Sequence, residues 1–203
     1  MHLPSSRNRR VLSLSIAPAA VLLAGLMVWQ GSNAAFSART QSTGNSWATG
    51  TVTLSDDDNG SAMFQIQNVV PGQSGSKCIV VKTTSLVPGV VKMYSGELVT
   101  NGLQDYVDVT IDQGIGGSFS DCTGFSVDPA ATEDSQTLQS LFSSHTSFSS
   151  GILPWVTTGS ALGESKTYKI GWVFNTVGLN QTAIDGLQGK TSSINFLWEQ
   201  QNT

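Results

Sequence analysis

Three groups of side chains in this 203-residue chain are of the types that chemistry needs. They are His145 in a serine-rich run, the acidic turn Asp56-Asp57-Asp58-Asn59-Gly60, and the pair Cys78 and Cys122. Acid–base or nucleophilic catalysis requires a base within reach of its nucleophile. His145 is flanked by Ser144 and Thr146, but no GxSxG elbow is present. A solvated histidine at a helix end is the plainer reading, so no catalytic residue is expected and the chain is not expected to be an enzyme.

The aspartate run can gather oxygens around a calcium ion, with Asp56 and Asp58 as candidate ligands. An EF-hand loop would place Glu at the twelfth position, but counting from Asp56 that residue is Gln67. The expectation is therefore a hairpin turn whose Asp and Asn side chains satisfy local backbone groups, with no metal and no cofactor. The two cysteines read as a disulfide if the chain is exported, or else as two buried thiols. A zinc site of ordinary ligands is out of reach, because His145 is the one histidine beyond the leader and no CxxC occurs. Trp155, Trp172 and Trp198 can stack on sugar rings. Trp172 and Trp198 fall on the apolar phase of their strands, which leaves Trp155 as the exposed candidate.

The amino terminus sets the compartment in which these groups would act. Arg7, Arg9 and Arg10 precede an apolar stretch from Val11 to Gln30, and Ser32-Asn33-Ala34 follows with small residues. This is the layout of an export signal, with cleavage between Ala34 and Ala35. The stretch is also nearly long enough to be retained as a membrane anchor. Pro18 and the small-residue exit favour cleavage. The expected domains are a signal peptide over 1–34, an N-terminal segment over 35–49 and a β-sandwich over 50–203. The expected product is secreted, extracellular or attached to the cell surface, and meets signal peptidase and the membrane only during export. Beyond residue 34, fourteen acids face Arg39 and six lysines. That balance argues against nucleic acid, which demands a basic face. It argues equally against an anionic membrane surface.

The elements that must position these groups repeat with period two. Tyr106 to Asp112 alternates strictly, with Val107, Val109 and Ile111 on one face. Lys166 to Phe174 repeats the pattern with Tyr168, Ile170, Trp172 and Phe174 inward. Thr191 to Glu199 does so with Ile194, Phe196 and Trp198. Further strands are expected at Gly50–Leu54, Ala62–Val69, Lys77–Thr83 and Val90–Tyr94, separated by turn residues such as Pro71-Gly72 and Pro88-Gly89. One short helix is expected from a cap at Asp134 or Ser135 through about Ser144, and a helical turn over Gln181 to Leu187. The fold class is all-β, a jelly-roll-like antiparallel β-sandwich with one short helix.

Ordered short motifs carry a family resemblance. Ala35-Phe36-Ser37-Ala38 follows the cut site; then come Asn45, Trp47 and Gly50-Thr51-Val52-Thr53-Leu54-Ser55-Asp56. A Pro71-Gly72-Gln73-Ser74 turn precedes Cys78-Ile79-Val80-Val81-Lys82. Gln188-Gly189-Lys190 and Ile194-Asn195-Phe196-Leu197-Trp198-Glu199-Gln200-Gln201 lie near the end. This order resembles the TasA/camelysin family of exported proteins; the cysteine pair departs from its TasA pattern and looks more like an actinobacterial branch. The resemblance implies a jelly-roll subunit of an extracellular biofilm matrix or pilus-like fibre. In the family the freed N-terminal segment acts as a donor strand for the next subunit. Here Ala35, Phe36, Ser37 and Trp47 are the expected assembly residues, in a segment with no partner required inside the domain. Such pairing does not close, so it gives filaments. The alternatives are a monomeric secreted adhesin or carbohydrate- or protein-binding module, and a metallopeptidase of the camelysin type, for which no His-Glu-x-x-His is present.

Overall fold

The computed structural model describes residues 54–64, 69–160 and 162–202, together with the backbone of 37–41. The described residues fall in one compact unit, Phe36–Thr203. The expected signal peptide, its Ala34–Ala35 cut, Phe36 and Trp47 lie outside them.

Among the described residues nine strands form two sheets. They are β1 (Ser37–Gln41), β2 (Leu54–Asp56), β3 (Ser74–Thr83), β4 (Gly89–Asn101), β5 (Val107–Ile115), β6 (Ser126–Thr137), β7 (Ile152–Thr157), β8 (Glu164–Phe174) and β9 (Thr191–Asn202). One sheet runs β1-β9-β4-β7 and the other β2-β3-β8-β5-β6, with antiparallel pairing between all neighbours. Without β2, these are the two four-stranded sheets of a jelly roll, as the alternation and turn spacing predict.

The period-two faces account for the core. Val109, Ile111, Tyr168, Ile170, Phe196 and Trp198 are buried from the strands whose alternation is strictest. They meet Ile79 and Val81 of β3 and Val91 and Met93 of β4. Tyr168 and Trp198 pack with ring centroids 5.4 Å apart, tilted by 59°. Burial pushes the Tyr168 phenol far above its usual range. Its oxygen accepts from Gln113 Nε2 at 2.9 Å, and the same amide donates to Leu153 O at 2.9 Å. A second buried polar knot centres on Gln200, whose Oε1 accepts from Thr83 Oγ1 at 2.6 Å and whose Nε2 donates to Thr157 Oγ1 at 3.1 Å. That knot joins the ends of β9, β3 and β7 across both sheets.

Two strands depart from expectation. The segment expected to cap a helix at Asp134 or Ser135 is the end of β6, and helix α1 begins only at Leu138 and ends at Ser144. Thr137 is the cap, accepting from Ser140 N at 3.0 Å. The β5 ladder carries the chain through Glu133 and Gln136, opposite Ile111 and Val109, before the helix starts. Pro129 lies where the β6 register shifts, a position that spares the ladder a missing donor. Strand β7 also carries a proline. Its register shifts between Trp155 and Ile152, and Leu153 adopts φ of 50° there. This bulge turns both Ile152 and Leu153 inward.

Helix α1 sends Leu138 and Leu141 into the core. A second helix, α2 (Gln181–Asp185), is capped by Asn180, which accepts from Ala183 N at 2.9 Å. Of the strand expected at Ala62–Val69, residues 62–64 and 69 are not extended pairs, and 65–68 lie outside the described residues. No helix among the described residues is long and apolar enough to cross a membrane.

Candidate functional site

The strand expected to be free has a partner. β1 runs antiparallel to β9, from Ser37 opposite Gln201 to Gln41 opposite Leu197. It forms the outer edge of its sheet, bonded on one side by β9. For 37–41 this corrects the expectation of an N-terminal segment with no partner required inside the domain. The physical reason is the far side of β9: its other edge is taken by β4, so its remaining backbone groups need a strand. Of the expected assembly residues, Ser37 sits at the head of β1; Ala35, Phe36 and Trp47 are outside the described residues.

Strand β9 is two-faced in an unusual way. Phe196, Trp198 and Gln200 point into the sandwich and are buried. Glu199 points to the opposite face, yet is only 4% exposed. Tyr94 of β4, 2% exposed, donates its hydroxyl to Glu199 Oε2 at 2.6 Å. Gln201 Nε2 donates to Glu199 Oε1 at 2.9 Å. Tyr94 and Gln201 thus each hold one carboxylate oxygen of Glu199. The signal for this site in the sequence is a single acid at the end of an alternating strand, and period two says only that it faces away from Trp198.

The acidic turn after β2 divides its labour. Asp58 Oδ1 accepts from Gly60 N at 2.7 Å, a local bond of the kind expected. Asp58 is 2% exposed, and its Oδ2 has no hydrogen-bond partner among the described residues apart from what Asp56 offers. Burial pushes its carboxyl up to about 6, and the neighbouring carboxylates of Asp56 and Asp57 add to the effect. Asp57 works at long range instead. Its Oδ1 accepts from Val80 N at 2.8 Å and its Oδ2 from Phe119 N at 2.7 Å. Among the described residues no three His, Cys, Asp or Glu side chains are grouped to hold a metal ion.

Asp57 thereby ties β3 to the loop between β5 and β6, and the disulfide Cys78–Cys122 ties the same two pieces covalently. Lys77 Nζ lies 4.0 Å from the centroid of the Phe119 ring in the same loop. Gly116 lets this loop turn: its φ is +79°, and a side chain would run into the carbonyl of Gly124. Sequence reasoning paired the cysteines but missed Asp57, because its partners are distant backbone amides that leave no pattern.

The remaining candidates are structural. His145 closes α1, donating its N–H to Leu141 O at 3.1 Å. Its Nδ1 lies 2.7 Å from Ser150 O, which fixes the proton on that nitrogen, and its carbonyl accepts from Ser95 N at 2.7 Å. Trp155, expected to be exposed, is 7% exposed and belongs to the core, because the β7 bulge resets the alternation after Pro154. It offers no face to a sugar. An apolar cleft of about 260 Å³ opens beside Met63, Phe64, Val107, Trp172, Ile194 and Phe196. Its rim includes Phe64 and Val69, which flank 65–68 outside the described residues. Compared with known protein families and with curated proteins, the chain matches none.

Proposed function

We propose that this chain is an exported, non-enzymatic subunit that assembles with copies of itself by exchanging β1, as a matrix or fibre protein does. The observation that carries this reading is the one-sided edge strand. Its five residues ladder with β9 on one side, and the same segment of another copy would restore every one of those ladder bonds. Exchange replaces addition to a vacant groove, because β9 is already covered in the single chain. The family resemblance and the export-type leader support the same reading. So does the sparsely charged chain, 12% Asp, Glu, Lys and Arg, which offers little repulsion between copies. Electron microscopy and size-exclusion chromatography of the chain beginning at Ala35 test it. Filaments or exchanged oligomers are expected. A species that stays monomeric across concentration, pH and salt overturns it.

The pairing of β1 within its own chain also favours a second reading, a closed secreted module that acts singly. The burial of Trp155 removes the residue that would have suited that module to sugars. The two readings part on one measurement: mixing isotopically heavy and light chains and cross-linking β1 to β9 gives heavy–light pairs only if strands exchange.

A further inference from the structure

We propose that Asn59 is a site of spontaneous covalent modification, converting to aspartate and isoaspartate, and that the side chain of Asp58 sets the rate. The turn after β2 runs from Asp58 to Ser61, closed by Ser61 N donating to Asp58 O at 3.0 Å. Its central residues are left-handed, with φ of 52° at Asn59 and 78° at Gly60. A turn of this hand favours Asn-Gly, because Asn tolerates positive φ and Gly adopts it freely. The same pair is chemically labile, since glycine has no Cβ to shield the nitrogen that attacks. Gly60 N gives its proton to water and attacks Asn59 Cγ. The N–Cγ bond forms, the Cγ–Nδ2 bond breaks, and Nδ2 leaves as ammonia with a proton returned from water. Water then opens the cyclic imide at either carbonyl, giving aspartate or a main chain lengthened by one methylene. Asn59 and Gly60 are both exposed, so water reaches every step.

Asp58 stands in the way of the first step. Its Oδ1 accepts from Gly60 N at 2.7 Å. Removing that hydrogen would set an amide anion against an oxygen lone pair. The chain's other Asn-Gly pair, Asn101-Gly102, is tied at both the attacking and the leaving nitrogen. Gly102 N donates to Gln104 Oε1 at 2.9 Å, and Asn101 Nδ2 donates to Thr191 Oγ1 at 3.1 Å. Asn59 Nδ2 instead makes a 3.5 Å contact with Asp57 O, at the outer limit of a hydrogen bond. The bond from Asp58 is thus the stronger restraint at Asn59. The product matters because of its neighbours. It adds a carboxylate directly after Asp56, Asp57 and Asp58, and isoaspartate lengthens the turn that begins one residue after Asp57. Asp57 is the residue that ties β3 to the β5–β6 loop.

Peptide mapping of the full chain held at mildly alkaline pH resolves Asn, Asp and isoaspartate at 59 and 101. Asp58→Ala is expected to convert Asn59 at least about tenfold faster than the wild type, the worth of one strong hydrogen bond, with Asn101 unchanged. Asp58→Asn keeps an acceptor oxygen and is expected to stay within about threefold of the wild type. Material converted at 59 is expected to exchange the amides of Val80 and Phe119 faster than unconverted material. Equal rates at Asn59 in the wild type and Asp58→Ala, or no conversion in either, overturn the proposal. So does an Asp58→Asn variant as fast as Asp58→Ala, which would assign the effect to lost packing. If Asp58→Ala speeds Asn101 as well, the fold has loosened and the Asp58→Asn comparison decides. Unchanged exchange at Val80 and Phe119 overturns the effect on the Asp57 tie.

Discussion

The amino-terminal sides of the two sheets are secured by different means. In the sheet that ends in β2, the neighbouring strand β3 is held to the β5–β6 loop by a disulfide and by Asp57, which spans the same gap with two hydrogen bonds. In the other sheet, β1 is held by a five-residue ladder on one side. Covalent and charge-assisted ties persist through local opening, whereas an edge ladder of this length opens at low cost. The contrast separates a fixed wall from a replaceable one, and the proposed exchange between copies draws on the second.

The largest effect is expected at the fixed wall. Replacing Cys78 and Cys122 with alanine frees a loop with a sequence separation of 44, and about 4 kcal/mol of stability is expected to be lost on the chain-entropy account. Denaturant unfolding of the oxidised protein and the variant measures it. Asp57→Ala comes next. It strands the amides of Val80 and Phe119, and a loss of about 2–4 kcal/mol is expected, with faster exchange at both. A loss below about 0.5 kcal/mol would mean that the disulfide alone holds this side.

Asp58 sharpens the comparison through pH. Its folded carboxyl keeps its proton up to about 6, while the unfolded chain releases it near 3.8. The folded state thus binds more protons between these values, and stability falls as pH rises through that window. Asp58→Asn is expected to remove the slope. Denaturation midpoints from pH 4 to 7 test this, and a variant that keeps the wild-type slope refutes the assignment. The smallest global effect belongs to the replaceable wall. Prolines at Ala38 and Arg39 together are expected to abolish protection at 37–41 and to move the midpoint of thermal unfolding by less than about 3 °C. A shift as large as that from losing the disulfide would erase the distinction between the two sides.

Much of this fold was legible because period two is a direct imprint of pleating. The strands around Val109, Ile170 and Phe196 announce themselves, and their inward residues are the buried ones. Strands β6 and β7 were not legible. Pro129 and Pro154 argue against strands, and each is accommodated at a register shift that only pairing reveals. The polar run at Asp134 and Ser135 has the composition of a helix cap, and the ladder with β5 overrides it. At the candidate sites, local chemistry was readable and long-range chemistry was not. The bond from Asp58 to Gly60 follows from turn rules. The reach of Asp57 to Phe119, and the burial of Glu199 on the outward face of β9, depend on neighbours far away in the chain.

The placement of β9 has a consequence for synthesis. It lies between β1, the earliest described strand, and β4, and its Gln200 closes the knot with Thr83 and Thr157. While the ribosome has yet to translate that stretch, the first sheet lacks its middle: β1 has no neighbour, and β4 has β7 alone. Completion of the first sheet therefore waits for the last strand to be made.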